Sequence, residues 1–300
     1  MTVPPRGSRG GSTAGLLELA TSAAVAAGRM LLGRGGRPEV VATKSSPTDV
    51  VTEADRAAET MIRELIGAVR PGDRVLGEEG GETGRAGGKG GVGAGGVGGK
   101  ISVRWIVDPL DGTVNYLYGL PDWAVSVAAE ADGTVVAGAV FVPRRDELFS
   151  AALGGGAWLS GGALDPRGDD APQPVRLACN TGVPLDRALV ATGFGYDAGR
   201  RLAQGEVLRG VLPRVRDIRR GGSAAVDLCS VASGSVDAYY ERGVNLWDIA
   251  AGGLIAAEAG ARVTGLHGQP ASSSMTIAAG PPLLDELHDL LASMDPERDG

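Results

Sequence analysis

Two carboxylates stand three residues apart in the segment Asp108-Pro-Leu-Asp-Gly-Thr113, which directly follows an apolar run at 103–107. The run predicts a buried strand, so both carboxylates lie where that strand ends. Two like charges buried this close together are unfavourable unless cations neutralise them, and Mg²⁺ prefers hard oxygen ligands combined with substrate phosphate. The backbone amides of Gly112 and Thr113 can hold an anion if a helix begins there. The segment therefore suggests phosphoryl chemistry.

An ordinary turn is the alternative explanation of this segment, because each residue of Asp-Pro-x-Asp-Gly is common in turns. Two further acidic segments weigh against it. Gly77-Glu78-Glu79-Gly80 follows a short apolar run at 75–76, and Asp248 stands at the predicted start of a helix. Taken singly, the two glutamates could form a solvated loop and Asp248 could be a helix N-cap. The interpretation as a metal site depends on all three segments occurring together.

The composition is that of an ordinary globular protein, with 300 residues of which 43% are hydrophobic and 22% charged. The net charge of −7 and the lack of a basic block disfavour nucleic acid as a direct partner. Two cysteines, Cys179 and Cys229, are too few for a disulfide framework and suggest a reducing compartment. We find no signal-peptide pattern at the N-terminus and no apolar run near the roughly 18 residues of a membrane span. We therefore expect a cytoplasmic protein with no membrane partner.

Predicted helices and strands must position the acidic segments. In the first half we predict helices over 14–33 and from Thr52 to Pro71-Gly72, and strands at 103–107, 123–130, 134–142 and 146–152. In the second half we predict strands at 188–192, 214–219 and 236–240, and helices over 200–212, 223–232 and 248–259. The regular alternation of the second half is typical of an α/β arrangement in which helices cover a sheet.

The same pattern suggests how the chain is divided. We expect a disordered tail at 1–13, an α+β half at 14–170 and an α/β half at 171–292, with both halves forming one catalytic unit. A glycine-rich insertion at 80–100 has the composition of a flexible surface loop, and it lacks the Gly-Lys-Ser/Thr ending of a phosphate-binding loop. Because the insertion follows Glu78, we hypothesise that metal occupancy at Glu78 depends on the order of this loop.

Several segments together resemble one known family, the inositol monophosphatases. Trp105-Ile-Val-Asp-Pro-Leu-Asp-Gly-Thr-Val-Asn-Tyr resembles the family's first signature, and Trp247-Asp-Ile-Ala-Ala-Gly-Gly-Leu-Ile-Ala-Ala-Glu-Ala-Gly resembles its second. Further matches are Lys44-Ser-Ser-Pro-Thr-Asp-Val-Val-Thr-Glu-Ala-Asp55, Gly77-Glu-Glu and Gly222-Ser-Ala-Ala-Val-Asp-Leu-Cys. The matches run in family order over roughly residues 14–280 and are most similar to the bacterial branch called extragenic suppressor proteins, as found in actinobacteria.

The resemblance implies an alternating αβαβα sandwich, the layered fold of the metal-dependent sugar phosphatases. It also implies a phosphomonoesterase that needs two or three Mg²⁺ ions, is sensitive to lithium and is commonly a homodimer. By position, the metal ligands would be four carboxylates and one backbone carbonyl, namely Glu78, Asp108, Asp111, Asp248 and the carbonyl of Leu110.

The resemblance assigns the remaining roles by position as well. Asp55 would hydrogen-bond Thr113, and this pair, with Glu78, would orient the attacking water. The amides of Gly112 and Thr113 would hold the phosphate. The substrate's hydroxyls would meet Glu241, Ala224 and Asp248.

We expect inositol 1-phosphate or a related polyol monophosphate as the substrate, because Tyr239-Tyr240-Glu241 before Trp247-Asp248 is close to the inositol-type pattern. Histidinol phosphate and fructose 1,6-bisphosphate remain alternatives, since relatives with the same metal site hydrolyse them. A different class of function is a regulatory binding protein that keeps the fold and acts through transcription partners. Four aligned carboxylates favour catalysis over that alternative.

Overall fold

The computed structural model describes residues 12–34, 40–43, 50–84, 102–162 and 173–298. Most of the expected tail at 1–13 and of the glycine-rich insertion at 80–100 lies outside these ranges. The hypothesis that loop order controls the Glu78 site therefore remains a prediction.

The described residues form seven α-helices: α1 Thr13–Gly33, α2 Glu53–Val69, α3 Thr113–Tyr118, α4 Ala198–Val211, α5 Ala224–Ala232, α6 Leu246–Glu258 and α7 Leu283–Ala292. The strands up to residue 176 are β1 Val40–Thr43, β2 Val50–Thr52, β3 Arg74–Gly77, β4 Gly81–Thr83, β5 Val103–Asp111, β6 Ala124–Ala131, β7 Thr134–Val142, β8 Glu147–Ala152, β9 Gly156–Gly161 and β10 Val175–Arg176. The later strands are β11 Leu189–Thr192, β12 Asp217–Arg219, β13 Ala238–Glu241, β14 Arg262–Thr264 and β15 Thr276–Ala279.

The elements stack in five layers. Helices α1 and α2 cover one face of an eight-stranded sheet with the order β10-β9-β8-β7-β6-β5-β3-β4, and α5 and α6 cover its other face. Helix α5 also contacts a five-stranded sheet with the order β12-β11-β13-β15-β14, against which α7 packs from the far side. Strands β1 and β2 pair separately. The predicted αβαβα sandwich is therefore confirmed.

Helix α1 shows why the sequence periodicity was informative. Its buried side chains recur at helical spacing and pack against β6 and β7. Glycine at position 28 permits the close approach, because a Cβ there would lie 2.5 Å from the Phe141 ring. This 21-residue helix is also long and apolar enough to cross a membrane, which the expectation based on uninterrupted apolar runs overlooked. Eight of its 21 residues are buried.

Three predicted boundaries differ from the structure for identifiable reasons. Strand β5 continues past residue 107 to Asp111, with a shift in its register against β6 between Asp108 and Asp111. The strand predicted at 214–219 is confined to 217–219, because Leu212–Arg214 forms a 3₁₀ turn around Pro213. Helix α6 begins at Leu246, two residues before the predicted start, so Asp248 lies in its first turn.

Strand pairing brings the acidic segments to one edge of the larger sheet. Strands β3 and β5 are parallel neighbours, with Gly77 opposite Val107. Their carboxyl-terminal ends therefore meet at the same edge, and the amide of Glu78 donates to the carbonyl of Val107 at 3.3 Å. Helix α6 packs on the same sheet, where Ser126 Oγ donates to the carbonyl of Trp247 at 3.3 Å.

Candidate active site

A cavity of about 410 Å³ opens where β5, α5 and α6 meet the loop that follows β11. That volume lies within the range of about 300–1,000 Å³ that is usual for small-molecule sites. Its wall contains almost all the residues singled out from the sequence, namely Glu78, Asp108, Leu110, Asp111, Gly112, Thr113, Ala224, Glu241 and Asp248. Asp55 does not line the cavity but reaches it through Thr113.

The irregular end of β5 turns its two aspartates in different directions. Asp108 is 1% exposed, and its Oδ1 accepts the amide of Leu110 at 3.0 Å. Asp111 faces α5, where its Oδ2 accepts the hydroxyl of Ser223 at 2.6 Å and the amide of Ala225 at 2.7 Å. Both carboxylates are therefore oriented by hydrogen bonds, and both residues line the cavity.

The turn after Asp111 depends on glycine. Gly112 has φ +88°, and a Cβ there would lie 2.9 Å from the carbonyl oxygen of Asp122. Helix α3 begins at the next residue, Thr113, as the anion-binding interpretation required. Both residues of this left-handed turn line the cavity, and the amide of Gly112 also hydrogen-bonds the Asp111 carboxylate.

Thr113 connects the cavity to α2. Its hydroxyl lies 3.2 Å from Oδ1 of Asp55 and 3.1 Å from the carbonyl oxygen of Leu110. A hydroxyl has one proton, so it donates to one of these acceptors at a time. Asp55 is 1% exposed, so solvent does not compete for this contact.

Asp248 fulfils both interpretations that the sequence left open. It belongs to a capping box at the start of α6, in which its Oδ2 accepts the amide of Asn245 at 2.5 Å. It also lines the same cavity as Asp108. The helix start therefore fixes the carboxylate beside the strand-end aspartates.

The electrostatics of these carboxylates favour a bound cation. Burial, followed by the nearby Glu78 and Asp111, raises the pKa of Asp108 well above its ordinary value. The pKa of Asp248 is likewise well raised, by burial and then by Asp111. Burial also raises the pKa of Asp111 to about 6, against the hydrogen bonds from Ser223 and Ala225. A cation among these oxygens would relieve the repulsion.

The donor set fits a hard divalent ion, although the described side chains do not converge on a single point. No three His, Cys, Asp or Glu residues in the described ranges are gathered as a formed metal site. The four carboxylates nevertheless surround one cavity, and all their donors are oxygens, which Mg²⁺ prefers.

Two further charged side chains of the cavity wall, Glu241 and Arg200, pack directly against glycines. The Glu241 carboxylate accepts the hydroxyl of Tyr239 at 2.9 Å and lies so close to Gly193 that a Cβ there would be 2.0 Å from Oε2. Burial raises the pKa of Glu241 to about 7. The Arg200 side chain likewise fills space over Gly195 and Gly243, where Cβ atoms would lie 2.9 and 2.7 Å from it.

Several cavity residues were missed by the sequence analysis. The loop after β11 contributes Gly193, Phe194, Gly195, Tyr196 and Asp197, and the same wall includes Arg200 and Arg220. The available signal was a Gly-Phe-Gly run directly after a predicted strand, since functional loops commonly follow strand ends. Ser223 was recognised only as the start of a helix, although it also holds Asp111.

Comparison with known proteins agrees with this architecture. A model of the inositol monophosphatase family matches residues 13–294. An inositol-1-monophosphatase, SuhB, of Mycobacterium tuberculosis is 46% identical over 250 residues, which cover 82% of this chain and 79% of the relative. A Nus factor SuhB of Pasteurella multocida is 35% identical over 277 residues, covering 91% of this chain and 94% of the relative. The solved structure of Mycobacterium tuberculosis SuhB superposes with a TM-score of 0.75 at 42% identity and covers 96% of this chain and 99% of its own.

Proposed function

Because this chain belongs to the inositol monophosphatase family and is a phosphatase, we propose that it hydrolyses inositol 1-phosphate and related polyol monophosphates with the help of bound Mg²⁺. The family is generally metal-dependent. The observation that carries the proposal is the gathering of Glu78, Asp108, Asp111 and Asp248 around one cavity beside the turn at Gly112. A cavity lined in this way suits a phosphate ester whose charge is neutralised by cations.

In this proposal the metal ligands are the four carboxylates and the carbonyl of Leu110. When bound, Mg²⁺ lowers the pKa of water and neutralises charge on the phosphoryl oxygens. The amides of Gly112 and Thr113 hold the phosphate. The Thr113 hydroxyl, which donates to Asp55, would together with Glu78 orient the water that attacks phosphorus. The bond between phosphorus and the ester oxygen would break, the proton lost by the water would pass to that ester oxygen, and the alcohol would leave with no side chain covalently attached.

The polyol part of the substrate lies against Glu241, Ala224 and Asp248. Glu241 accepts the hydroxyl of Tyr239 and packs directly against Gly193, which has no side chain to displace it. A carboxylate held this firmly can accept hydrogen bonds from sugar hydroxyls, and its removal penalises substrates that offer them. The mycobacterial relative named an inositol-1-monophosphatase supports inositol as the polyol.

A second candidate substrate is a sugar bisphosphate such as fructose 1,6-bisphosphate. The observation in its favour is Arg200, which lines the cavity and whose guanidinium forms no hydrogen bond or ion pair in the described part of the chain. Arg220 stands on the same wall and lowers the pKa of Glu241 and Asp111 through its charge. Two cations facing the cavity provide a place for a second phosphate.

Other features of the proposal come from the family alone. They are inhibition by lithium, a homodimer, a cytoplasmic location and two or three Mg²⁺ ions. Histidinol phosphate remains an alternative ester, and the Nus factor relative supports a regulatory role through transcription partners as an additional function.

A panel of phosphate esters tests the substrate. Phosphate release is measured on inositol 1-phosphate, histidinol phosphate, fructose 1,6-bisphosphate and 3′-phosphoadenosine 5′-phosphate, each with Mg²⁺, with a chelator and with added Li⁺. We expect the highest kcat/KM on inositol 1-phosphate, lost on chelation and lowered by Li⁺. A preference for another ester would overturn the substrate, and no release from any ester would favour the regulatory alternative.

A further inference from the structure

Glu59 is a buried carboxylate that the proposed mechanism does not use. It lies on α2, four residues after Asp55, so both side chains emerge from the same face of the helix. Only 4% of Glu59 is exposed. Burying a carboxylate is unfavourable unless hydrogen bonds and charges compensate it, so its partners indicate its purpose.

Those partners are the backbone amides directly after Glu78. The carboxylate of Glu59 accepts the amide of Glu79 at 2.7 Å and that of Gly80 at 2.9 Å. The backbone amide of Glu78 itself donates a hydrogen bond to the carbonyl of Val107 in β5. The backbone of Glu78 is therefore fixed on both sides, by a strand on one and by Glu59 on the other.

The turn is shaped around the Glu59 side chain. A Cβ at Gly77 would lie 2.5 Å from the Glu59 carboxylate, and one at Gly80 would lie 2.6 Å from its Oε1. A larger residue at either position would push the carboxylate away from the amides.

Arg63 completes the arrangement one helical turn later. Its Nε donates to Oε1 of Glu59 at 2.8 Å, and its other nitrogens donate to the carbonyls of Val75 at 3.1 Å and Gly81 at 2.7 Å. It also contacts the hydroxyl of Thr83. The guanidinium thus compensates the charge of Glu59 and ties β3 and β4 to α2.

We propose that Glu59 is a positioning residue for the metal centre: it holds the 78–80 turn so that the side chain of Glu78 points at the cation. This inference rests on the proposed function, in which Glu78 is a ligand. Glu59 itself contacts neither substrate nor ion. Partners of this outer kind commonly change metal affinity by about 10–100-fold when they are removed.

The test compares Glu59→Gln with Glu64→Gln, which removes an exposed carboxylate from the same helix. Glutamine keeps one acceptor oxygen but presents an NH₂ group to the second amide. We expect the Mg²⁺ concentration for half-maximal activity to rise about tenfold in Glu59→Gln, with kcat at saturating Mg²⁺ within about twofold of the wild type. Calorimetric titration with Mg²⁺ alone, without substrate, should show the same loss of affinity. Glu64→Gln should change neither.

A second pair of variants covers the case in which Glu59→Gln does not fold. In Gly80→Ala the added Cβ would displace the Glu59 carboxylate, so the Mg²⁺ concentration for half-maximal activity should rise, as in Glu59→Gln. Gly67→Ala, where a Cβ meets no atom within 4 Å, is its matched control.

Glu78→Gln separates this inference from the proposed function. If it weakens Mg²⁺ binding while Glu59→Gln and Gly80→Ala do not, the positioning role is wrong and the metal site stands. If Glu78→Gln leaves Mg²⁺ binding unchanged, both the ligand assignment and the positioning role that depends on it are wrong.

Discussion

Ser223 shows how a single side chain can serve folding and chemistry together. Its hydroxyl oxygen accepts the amide of Val226 at 3.2 Å and so caps α5, while its proton goes to Asp111 at 2.6 Å. Loss of the hydroxyl therefore removes a helix cap and one of the bonds that orient a proposed metal ligand. The sequence predicted only that a helix begins near Ser223, and the bond to Asp111 joins positions 112 apart and has no local signal.

We expect Ser223→Ala to destabilise the protein by about 1 kcal/mol, the usual effect of losing an N-cap. Because Asp111 also loses a partner, the Mg²⁺ concentration for half-maximal activity should rise. Thermal unfolding and a Mg²⁺ titration of activity measure the two effects, and Ser223→Thr should restore both. Unchanged Mg²⁺ dependence in Ser223→Ala would argue against the orienting role.

Glu241 predicts a pH dependence of stability in the metal-free protein. Its pKa is about 7 in the folded state against 4.5 for the ordinary side chain, so between those values the folded state binds more protons than the unfolded chain. Stability from this group is therefore lost as pH rises from about 4.5 through about 7. Glutamine cannot ionise, so Glu241→Gln should gain stability relative to the wild type across that window.

The measurement is the difference in Tm between the two proteins in chelator, from pH 5 to pH 8. We expect the Tm of Glu241→Gln to increase relative to that of the wild type as pH rises from 5 to 8, by at least about 2 °C. A difference that is flat, or that moves toward the wild type, would contradict a raised pKa at this site.

The loop after β11 is the element that the sequence analysis undervalued. Its residues 193–197 carry no charge pattern that marks a site, yet they form the wall against which Glu241 and Arg200 are seated. Periodicity identified α1 and α2 well, because each buries residues at helical spacing. It could not reveal the extension of β5 to Asp111, since an irregular register depends on the partner strand.

Gly193→Ala tests the importance of this wall. The added Cβ would lie 2.0 Å from Glu241 Oε2, so the carboxylate must move. Overpacking of this kind typically destabilises by about 1–3 kcal/mol. We expect kcat/KM on inositol 1-phosphate to fall by about tenfold or more, with the Mg²⁺ requirement unchanged.

Gly205→Ala is the matched control for that substitution. Gly205 lies inside α4, where a Cβ meets no atom within 4 Å, so alanine should stabilise the helix by about 0.5–1 kcal/mol and leave activity intact. Equal kcat/KM of Gly193→Ala and Gly205→Ala would show that activity does not depend on the present position of the Glu241 carboxylate.

The whole molecule brings together segments that are far apart in sequence. The larger sheet supplies Glu78, Asp108 and Asp111, and α6 adds Asp248. The family motifs identified these residues and their order. They did not indicate Arg200, because arginines at the start of a helix are most often solvated; only the packed layers place it on the cavity wall.

Arg200→Ala distinguishes between the two candidate substrates. Loss of a guanidinium that binds a second phosphate should lower kcat/KM on fructose 1,6-bisphosphate by about tenfold or more, since hydrogen bonds to charged groups contribute about 1.5–3 kcal/mol. Activity on inositol 1-phosphate should change less than about threefold by the same reasoning. Arg209→Ala is the control, because Arg209 is exposed on α4 and pairs only at the surface with Glu206. Equal losses on both esters would remove the case for a second phosphate subsite.

The carboxylates of the cavity are the centre of this account, and Asp111→Asn examines them most directly. Phosphate release from inositol 1-phosphate is measured against Mg²⁺ concentration for the wild type, Asp111→Asn and the exposed turn variant Asp132→Asn, with folding checked by circular dichroism. We expect a folded Asp111→Asn protein to lose at least roughly a hundredfold in rate, because a direct ligand should matter no less than an outer partner. Asp132→Asn should match the wild type. A near-normal rate for Asp111→Asn at saturating Mg²⁺ would contradict the proposed metal site.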